Sequence, residues 1–271
     1  MALTTIGLMA LLGCFTGFIA GLLGIGGGMI ITPFLIMLIP SSLIPHDHIV
    51  HVAIATSLAT IAFTSLSSVR AHHKRGAVLW NVVASVAPGI LVGAVVGAQI
   101  AGWLPTFWLS LIFAGFVGFS AFKMFLNKSP RPDRNLPGTM GKFFMGIAIG
   151  ILSALVGAGG GFISVPWMVW CNVKMQNAVA TSAAFGFPIA LFGTIGYIIS
   201  GWNVSGLPPW PIDLGYICIP ALFSVAITSV LFAPLGAKVA HSIDTKPLKK
   251  IFACLLCFVC LYMIRQAYLA M

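Results

Sequence analysis

The sequence predicts an all-α polytopic membrane protein with about ten membrane segments, arranged as two inverted five-segment repeats with glycine-broken hairpins. The first observation is composition: 59% of the 271 residues are hydrophobic, only 7% are charged, and the mean hydropathy is +1.07, which excludes an ordinary water-soluble domain. The second is a pair of glycine-rich blocks in apolar sequence, 24–28 and 157–161, each followed by a proline. The third is the clustering of basic residues in alternate loops, which is typical of multi-pass proteins.

The apolar stretches define the membrane segments. One crossing needs about 20 predominantly apolar residues, so the long uncharged stretches each contain two segments joined by a turn. The predicted segments are 3–23, 26–44, 49–69, 77–102, 106–125, 141–157, 159–172, 176–200, 212–236 and 248–269.

The basic residues predict the orientation in the membrane. Numbering the loops alternately places 13 of the 14 Lys and Arg residues on one side, and only Arg265 lies near the other. By the positive-inside rule that side is cytoplasmic, both termini are non-cytoplasmic, and the location is the cell (inner) membrane. The positive charge therefore predicts contact with a lipid bilayer and no nucleic-acid partner. The residues on the cytoplasmic side are Arg70, Lys74, Arg75, Lys123, Lys128, Arg131, Arg134, Lys142, Lys174, Lys238, Lys246, Lys249 and Lys250.

Internal matches predict a duplicated chain. The glycine blocks match at an offset of 133, and Thr56-Ser57 matches Thr181-Ser182 at an offset of 125. We expect a first inverted repeat at 1–126, a proline-containing cytoplasmic linker at 127–140 and a second inverted repeat at 141–271. Because five segments is an odd number, the second repeat enters the membrane upside down relative to the first.

The glycine triplets mark the predicted substrate site. Three successive glycines exceed what packing on one helix face requires, so they break the helix. A helix that restarts after the break, near Met29 and near Phe162, presents unpaired N–H groups that suit an anion. The duplicated hydroxyl pairs add hydrogen-bond donors. The predicted substrate-binding residues are Gly26, Gly27, Gly28, Met29, Thr56, Ser57, Gly159, Gly160, Gly161, Phe162, Thr181 and Ser182.

Other functions lack their residues. All four acidic residues fall in predicted loops, so a cation site or an intramembrane carboxylate relay is disfavoured. No nucleophile has a base in an adjacent segment, so we predict no enzyme, no cofactor and no metal site. His51 is either an interfacial anchor or a group that couples a proton to transport.

The paired motif resembles the TauE/SafE family of membrane anion transporters. Residues 24–33 and 157–166, each a glycine-rich break leading to proline with Ala-Thr-Ser further along, carry the resemblance. It implies a substrate among sulfite, sulfoacetate and other sulfur-containing anions. We therefore expect an exporter of a small sulfur-containing anion that works by alternating access. The alternatives are a proton-coupled anion uptake permease and a non-transporting membrane scaffold.

Overall fold

The computed structural model describes residues 3–23, 27–40, 43–126, 135–208, 212–240 and 246–270. Apart from one short hairpin, the regular structure in these ranges is helical, which confirms the all-α polytopic fold. Most of the predicted linker and Gly26 lie outside the described residues. The elements are α1 (Leu3–Leu23), α2 (Gly28–Leu38), α3 (Ile49–His73), α4 (Trp80–Trp103), α5 (Thr106–Leu126), α6 (Thr139–Val156), α7 (Gly161–Trp170), α8 (Met175–Gly201), β1 (Asp213–Leu214), β2 (Ile217–Cys218), α9 (Ile219–Ala240) and α10 (Lys246–Leu269).

Eight helices of the described chain are long and apolar enough to cross a membrane. The other two, α2 and α7, have 11 and 10 residues. At 1.5 Å per residue they are about 16 and 15 Å long, roughly half the thickness of the hydrocarbon core. The segments predicted at 26–44 and 159–172 thus each contain a half-length helix.

Helix α3 lies at the centre of the bundle. In its most apolar window 83% of the residues are buried, against 56% for α8 and 50% or less for the other long helices. It packs against α8 and α9, while α1 packs on α9, α4 on α6 and on α8, and α5 on α10. Large apolar side chains on the peripheral helices, including Leu11, Trp103 and Leu231, point outward, where lipid replaces water as their solvent.

Glycine rows bring two helix pairs into backbone contact, as their four-residue spacing predicts. A Cβ added at Gly17 in α1 would collide with the carbonyl oxygen of Ser229 in α9. A Cβ added at Gly93 in α4 would collide in the same way with the carbonyl oxygen of Ile147 in α6. Small residues are therefore required at these positions.

Gly27, just before α2, lies beside α1 and not beyond its end. The carbonyl oxygen of Gly21, near the end of α1, accepts a hydrogen bond from His72 Nε2, near the end of α3, at 3.3 Å. Six residues later, a Cβ at Gly27 would lie only 2.9 Å from the carbonyl oxygen of Thr16, more than a turn back along α1. Helix α2 then begins beside Ile61, near the middle of α3.

A small hairpin replaces the start of the ninth predicted segment. The prediction of a membrane segment from residue 212 is wrong for its first residues, because α9 begins only at Ile219. Asp213 pairs with Cys218 and Leu214 with Ile217 in an antiparallel ladder. Gly215 closes the turn with φ of 59°, a conformation that favours glycine. These residues are apolar enough for a helix, but Gly215 forms a turn and the chain folds into a hairpin instead.

Candidate functional site

Two glycine breaks interrupt the bundle, and both end in the same backbone conformation. The first break lies between Leu23, the last residue of α1, and the start of α2, and Gly27 is its described residue; the second break (residues 157–160) separates α6 from α7. Gly27 has φ 72° and ψ −11°, and Gly160 has φ 77° and ψ −9°. This left-handed region costs roughly 1–2 kcal/mol for residues with a Cβ. Glycine is therefore required at the same place in both breaks.

The helices after the breaks begin with unsatisfied amides. The carbonyl oxygen of Gly27 accepts the N–H of Ile30 and Ile31, whereas the earlier N–H groups of the first turn have no intrahelical acceptor. The N-terminal ends of α2 and α7 also carry the positive ends of their helix dipoles. The Met29 side chain is buried, and the Phe162 ring stacks on Phe252 of α10 at 6.2 Å. These two residues present their backbone N–H, not their side chains, to the breaks.

Ser57 in α3 brings the two breaks together. Its Oγ donates to the carbonyl oxygen of Gly157 at 3.2 Å and lies 3.4 Å from the carbonyl oxygen of Gly28. A Cβ at Gly28 would collide with the Gly157 carbonyl. The start of α2 and the end of α6, which are far apart in sequence, therefore touch beside one buried hydroxyl.

Ser182 in α8 lies at the second break. Ser164 Oγ donates to Ser182 Oγ at 2.8 Å and is also 3.0 Å from the carbonyl oxygen of Gly160. Ser164, Ser182 and Ser57 are all fully buried. Hydroxyl groups thus contact the backbone of both breaks, and Ser164 is a residue that the repeat pattern missed because the equivalent position of the first half is Ile31.

The two predicted threonines have a different environment. Thr56 Oγ1 accepts the backbone N–H of Cys218, just before α9, at 3.0 Å. Thr181 Oγ1 accepts the backbone N–H of Leu79, just before α4, also at 3.0 Å. Each threonine holds the segment that leads into a long helix, while its neighbouring serine lies at a break.

A small chamber lies beside the second break. Its volume is about 10 Å³, close to the minimum for one water molecule. Ser68 Oγ is buried there without a hydrogen-bond partner among the described residues, and Thr64 Oγ1 lies 2.7 Å from Ser229 Oγ. A sulfur oxyanion is several times larger than a water, so its entry requires helix movement. The chamber is lined by Ala20, Thr64, Ser65, Ser68, Gly159, Ala183 and Gly186.

Aliphatic side chains also pack against the glycines beside the breaks. The Cδ1 atom of Ile189 lies 2.5 Å from a Cβ placed on Gly160, and the Cδ1 atom of Ile61 lies 2.6 Å from one placed on Gly28. Leu58 contacts Gly193 in the same layer. These three side chains, Leu58, Ile61 and Ile189, form what we term the aliphatic plug.

The side chain of His51 is buried. Its Nε2 lies 3.1 Å from the carbonyl oxygen of Ala101 and 3.0 Å from that of Leu104. Because both partners are acceptors, Nε2 carries the proton in this arrangement. The ring stacks on Tyr216 at 5.2 Å. His51 lies toward the start of α3, away from both breaks.

Comparison with known proteins assigns the chain to a family. The family model described as "Sulfite exporter TauE/SafE" matches residues 9–263.

This chain belongs to the TauE/SafE family.

Relatives in distant organisms cover nearly the same length. A "Probable membrane transporter protein" of Haemophilus influenzae is 34% identical over 96% of this chain and 98% of its own. One of Methanocaldococcus jannaschii is 27% identical over 95% of this chain and 94% of its own. A third, of Bacillus subtilis, is 30% identical over 69% of this chain and 76% of its own. No solved structure matches the chain. The TauE/SafE assignment and these names describe transporters and not enzymes.

The candidate site of this TauE/SafE protein contains uncharged hydrogen-bond donors, the backbone amides and the hydroxyl groups. Of the acidic residues in the described chain, Asp47 is exposed in a loop and Asp213 lies in β1, so neither contacts a break. Amides and hydroxyls bind an oxyanion without the cost of burying a permanent positive charge. Thr64, Ser65 and Ser68 were not predicted, although hydroxyls at 56, 60, 64 and 68 follow a four-residue spacing along α3.

Proposed function

We propose that this protein is a membrane transporter of a small sulfur-containing anion, such as sulfite or an organosulfonate, and that it works as an exporter. The observation that carries the proposal is the contact of the two breaks at Ser57. The Ser57 hydroxyl contacts the carbonyl oxygens of Gly28, the first residue of α2, and of Gly157, in the second break. The first-turn amides of α2 and α7 have no intrahelical acceptor and are available to an anion. The family description supports the substrate class.

In this proposal the backbone of both breaks binds the anion and hydroxyls complete its shell. The amides belong to Gly26, Gly27, Gly28 and Met29 in the first half and to Gly159, Gly160, Gly161 and Phe162 in the second. Ser57 and Ser182 supply the adjacent hydroxyls. Thr56 and Thr181 act by holding the segments before α9 and α4, since their oxygens accept backbone N–H groups.

The two halves are proposed to be inverted repeats, 1–126 and 141–271, joined by the linker at 127–140. Exchanging α1–α5 for α6–α10 turns one packing pair into another, since α1 packs on α9 as α6 packs on α4. The same exchange turns the Thr56–Cys218 hydrogen bond into the Thr181–Leu79 hydrogen bond. Equivalent contacts in both halves are expected for duplicated units.

We propose alternating access from two features beside the breaks. Hydroxyl groups and glycine line the chamber, and the aliphatic plug packs against Gly28 and Gly160. We propose that α3 and α8 move relative to their neighbours, which opens the chamber, then closes it and separates the plug. We propose from the basic loops that the chamber side faces the cytoplasm and that both termini are on the non-cytoplasmic side of the cell membrane.

The membrane potential is sufficient to drive export. With a negative cytoplasm, each exported negative charge gains about 2.3 kcal/mol per 100 mV. Export therefore needs no second ion. A proton-coupled uptake permease predicts instead that flux follows an inward pH gradient and that His51→Ala abolishes this dependence.

Flux measurements in proteoliposomes test the proposal. Purified protein is reconstituted, and efflux of sulfite, isethionate, sulfate and chloride is followed under an imposed potential. We expect sulfite or isethionate to move faster than chloride, and Gly160→Leu to stop this movement. Gly115→Leu is the matched control, because Gly115 lies on an open face of α5 with nothing within 4 Å of an added Cβ. Equal flux with and without protein, or full activity in Gly160→Leu, would favour the scaffold alternative.

A further inference from the structure

Asp213 in β1 is an acidic residue whose side chain is buried. Its side chain is 4% exposed, and its carboxylate interacts with the weakly donating thiol of Cys218 but with no N–H or O–H group among the described residues. A buried carboxylate with so weak a donor is costly when ionised, and in a membrane protein such a group indicates a functional site. Sequence analysis counted Asp213 among the loop residues, although it falls at the start of the ninth predicted segment.

The hairpin that carries Asp213 is inserted between the long helices. Tyr216 and Ile217 are each 2% exposed, and Cys218 is fully buried. A Cβ at Gly215 would lie 2.6 Å from the carbonyl oxygen of Ile198 in α8. Strand β2 contacts α3, α8 and α9. The buried carboxylate therefore belongs to a wedge and not to a surface loop.

Short contacts connect this wedge to the breaks. Asp213 is the cross-strand partner of Cys218, and the Cys218 N–H donates to Thr56 Oγ1 at 3.0 Å. The next residue of α3 is Ser57, which donates to the Gly157 carbonyl at 3.2 Å. The hairpin is therefore connected to the predicted site through two successive residues of α3, Thr56 and Ser57.

We propose that Asp213 is a proton-binding site on the non-cytoplasmic part of the anion path, and that the anion passes when this carboxyl is protonated. The inference rests on the proposed function, because it assigns a proton to the same transport cycle. The ionised carboxylate repels an approaching anion and favours hydration over burial. Protonation removes the repulsion and lets the hairpin remain inserted.

The surroundings of Asp213 are consistent with uptake of a proton at mildly acidic pH. Burial raises the pKa of Asp213 from 3.8 to about 6, with a smaller opposing effect from the Cys218 side chain. Burial likewise raises the pKa of Cys218 to about 12, so its thiol stays neutral. The first turn of α9, residues 219–223, contributes no titratable group.

The other titratable groups of this region belong to α3, α8 and the hairpin turn. Tyr216 stacks on His51 and lies 6.0 Å from the His48 ring and 6.2 Å from the Tyr197 ring. His51 already donates from Nε2 to backbone carbonyls, so a second proton would have to enter at its buried Nδ1. Asp213 is the group that gains a proton without creating a buried charge.

The first experiment detects the proton directly and needs no transport. Infrared difference spectra of the purified protein are recorded as the pH is changed, and the carbonyl stretch of a protonated carboxyl group is followed. We expect this band to disappear with a midpoint near pH 6, to be absent in Asp213→Asn and to be retained in Asp47→Asn. Asp47 is the matched control because it is an exposed carboxylate just before α3. A carboxyl group that stays ionised down to pH 4 would overturn the proposal.

The second experiment links the proton to anion flux. Efflux of sulfite and of isethionate is measured at several external pH values, and the ratio of variant to wild-type flux at each pH cancels the titration of the anion itself. Wild-type flux should fall by about tenfold for each pH unit well above 6, since the protonated fraction falls by that factor. Asp213→Asn should remain active there, while Asp47→Asn and His51→Gln follow the wild type.

Two outcomes separate this inference from the proposed function. Normal flux with the same pH profile in Asp213→Asn and wild type overturns the proton site and leaves the transporter proposal intact. No flux of any anion, with a carboxyl band that still titrates, overturns the transporter proposal and the coupling with it. Thr56→Val tests the connection, because we expect it to keep the band and to weaken the pH dependence of flux.

Discussion

The backbone N–H of Cys218 donates to the hydroxyl oxygen of Thr56 at 3.0 Å, and the N–H of Leu79 donates to Thr181 at the same distance. Residues 56 and 181 match at one repeat offset, and residues 79 and 218 match at another. One hydrogen bond therefore occurs in both halves. It ties α3 to the segment just before α9, and α8 to the segment just before α4. Each threonine therefore has a different role from the serine beside it.

Removing either threonine hydroxyl should destabilise the fold. Thr56→Val keeps the side-chain shape but leaves the buried Cys218 N–H without an acceptor, which costs about 1–3 kcal/mol. The loss of stability in Thr181→Val should be at the lower end of this range, because Leu79 is only half-buried. Thermal unfolding followed by tryptophan fluorescence in detergent measures both. Thr56→Ser and Thr181→Ser should unfold close to the wild type, and a loss in only one of the valine variants would contradict the equivalence.

The glycines that end the breaks should not tolerate alanine. Gly27→Ala and Gly160→Ala each place a Cβ in the left-handed region, at a cost of roughly 1–2 kcal/mol, and at Gly160 the Cβ also meets Ile189. We expect lower unfolding temperatures and reduced anion efflux in both. Gly115→Ala, on the open face of α5, should be neutral or stabilising because alanine has the higher helix propensity. Wild-type stability in both break variants would show that the conformation is not required.

Loss of the Ser57 hydroxyl should affect binding of the anion more than folding. Ser57→Ala releases the carbonyl oxygens of Gly28 and Gly157, so the breaks lose the contact that orients them. A net stability loss of about 1 kcal/mol is expected for one hydrogen bond. Anion efflux should fall by more than this loss explains. Ser85→Ala is the control, because the Ser85 hydroxyl bonds only to its own helix; equal efflux in the two variants would argue against a site at Ser57.

Ser68→Ala should weaken the apparent affinity for the anion. Ser68 Oγ is buried in the chamber wall without a partner among the described residues, so it is available to donate to an entering oxyanion. One such hydrogen bond to a charged group is worth about 1.5–3 kcal/mol, or a rise in KM of roughly tenfold or more. Concentration-dependent efflux measures KM. Ser67→Ala, which removes a hydrogen bond to the Val230 carbonyl outside the chamber, should leave KM unchanged.

Stability should depend on pH through Asp213. Burial raises its pKa from 3.8 to about 6, so the folded state binds the proton more tightly than the unfolded state. Below about pH 4 the carboxyl group is protonated in both the folded and the unfolded state, so its titration does not lower the free energy of unfolding. The free energy of unfolding falls as the pH rises through about 6. After allowance for screening by solvent the loss is about 1–3 kcal/mol. Asp213→Asn should therefore raise the unfolding temperature at pH 8 and not at pH 4, whereas Asp47→Asn should change neither.

Sequence reasoning could predict the helices because they depend on local pattern. Hydropathy alone gives the positions of the long helices of the described chain within a few residues, except for the start of α9. The spacing of Gly13, Gly17 and Gly21 predicts close helix packing, and the structure shows that the partner is α9. The site residues were harder. Ser57 and Thr56 are neighbours of similar chemistry, yet one contacts the breaks and the other a hairpin, because successive residues of a helix point about 100° apart.

The sequence by itself determined the membrane class, the order of the helices and the glycine breaks, since each of these follows from apolar length, periodicity or the conformational freedom of glycine. Only the tertiary structure decided that α2 and α7 are half-length helices, that Ser68 lines a chamber and that Asp213 is buried. Those properties depend on which distant residues pack together. Burial of a side chain is a property of its neighbours in space, and no local pattern records them.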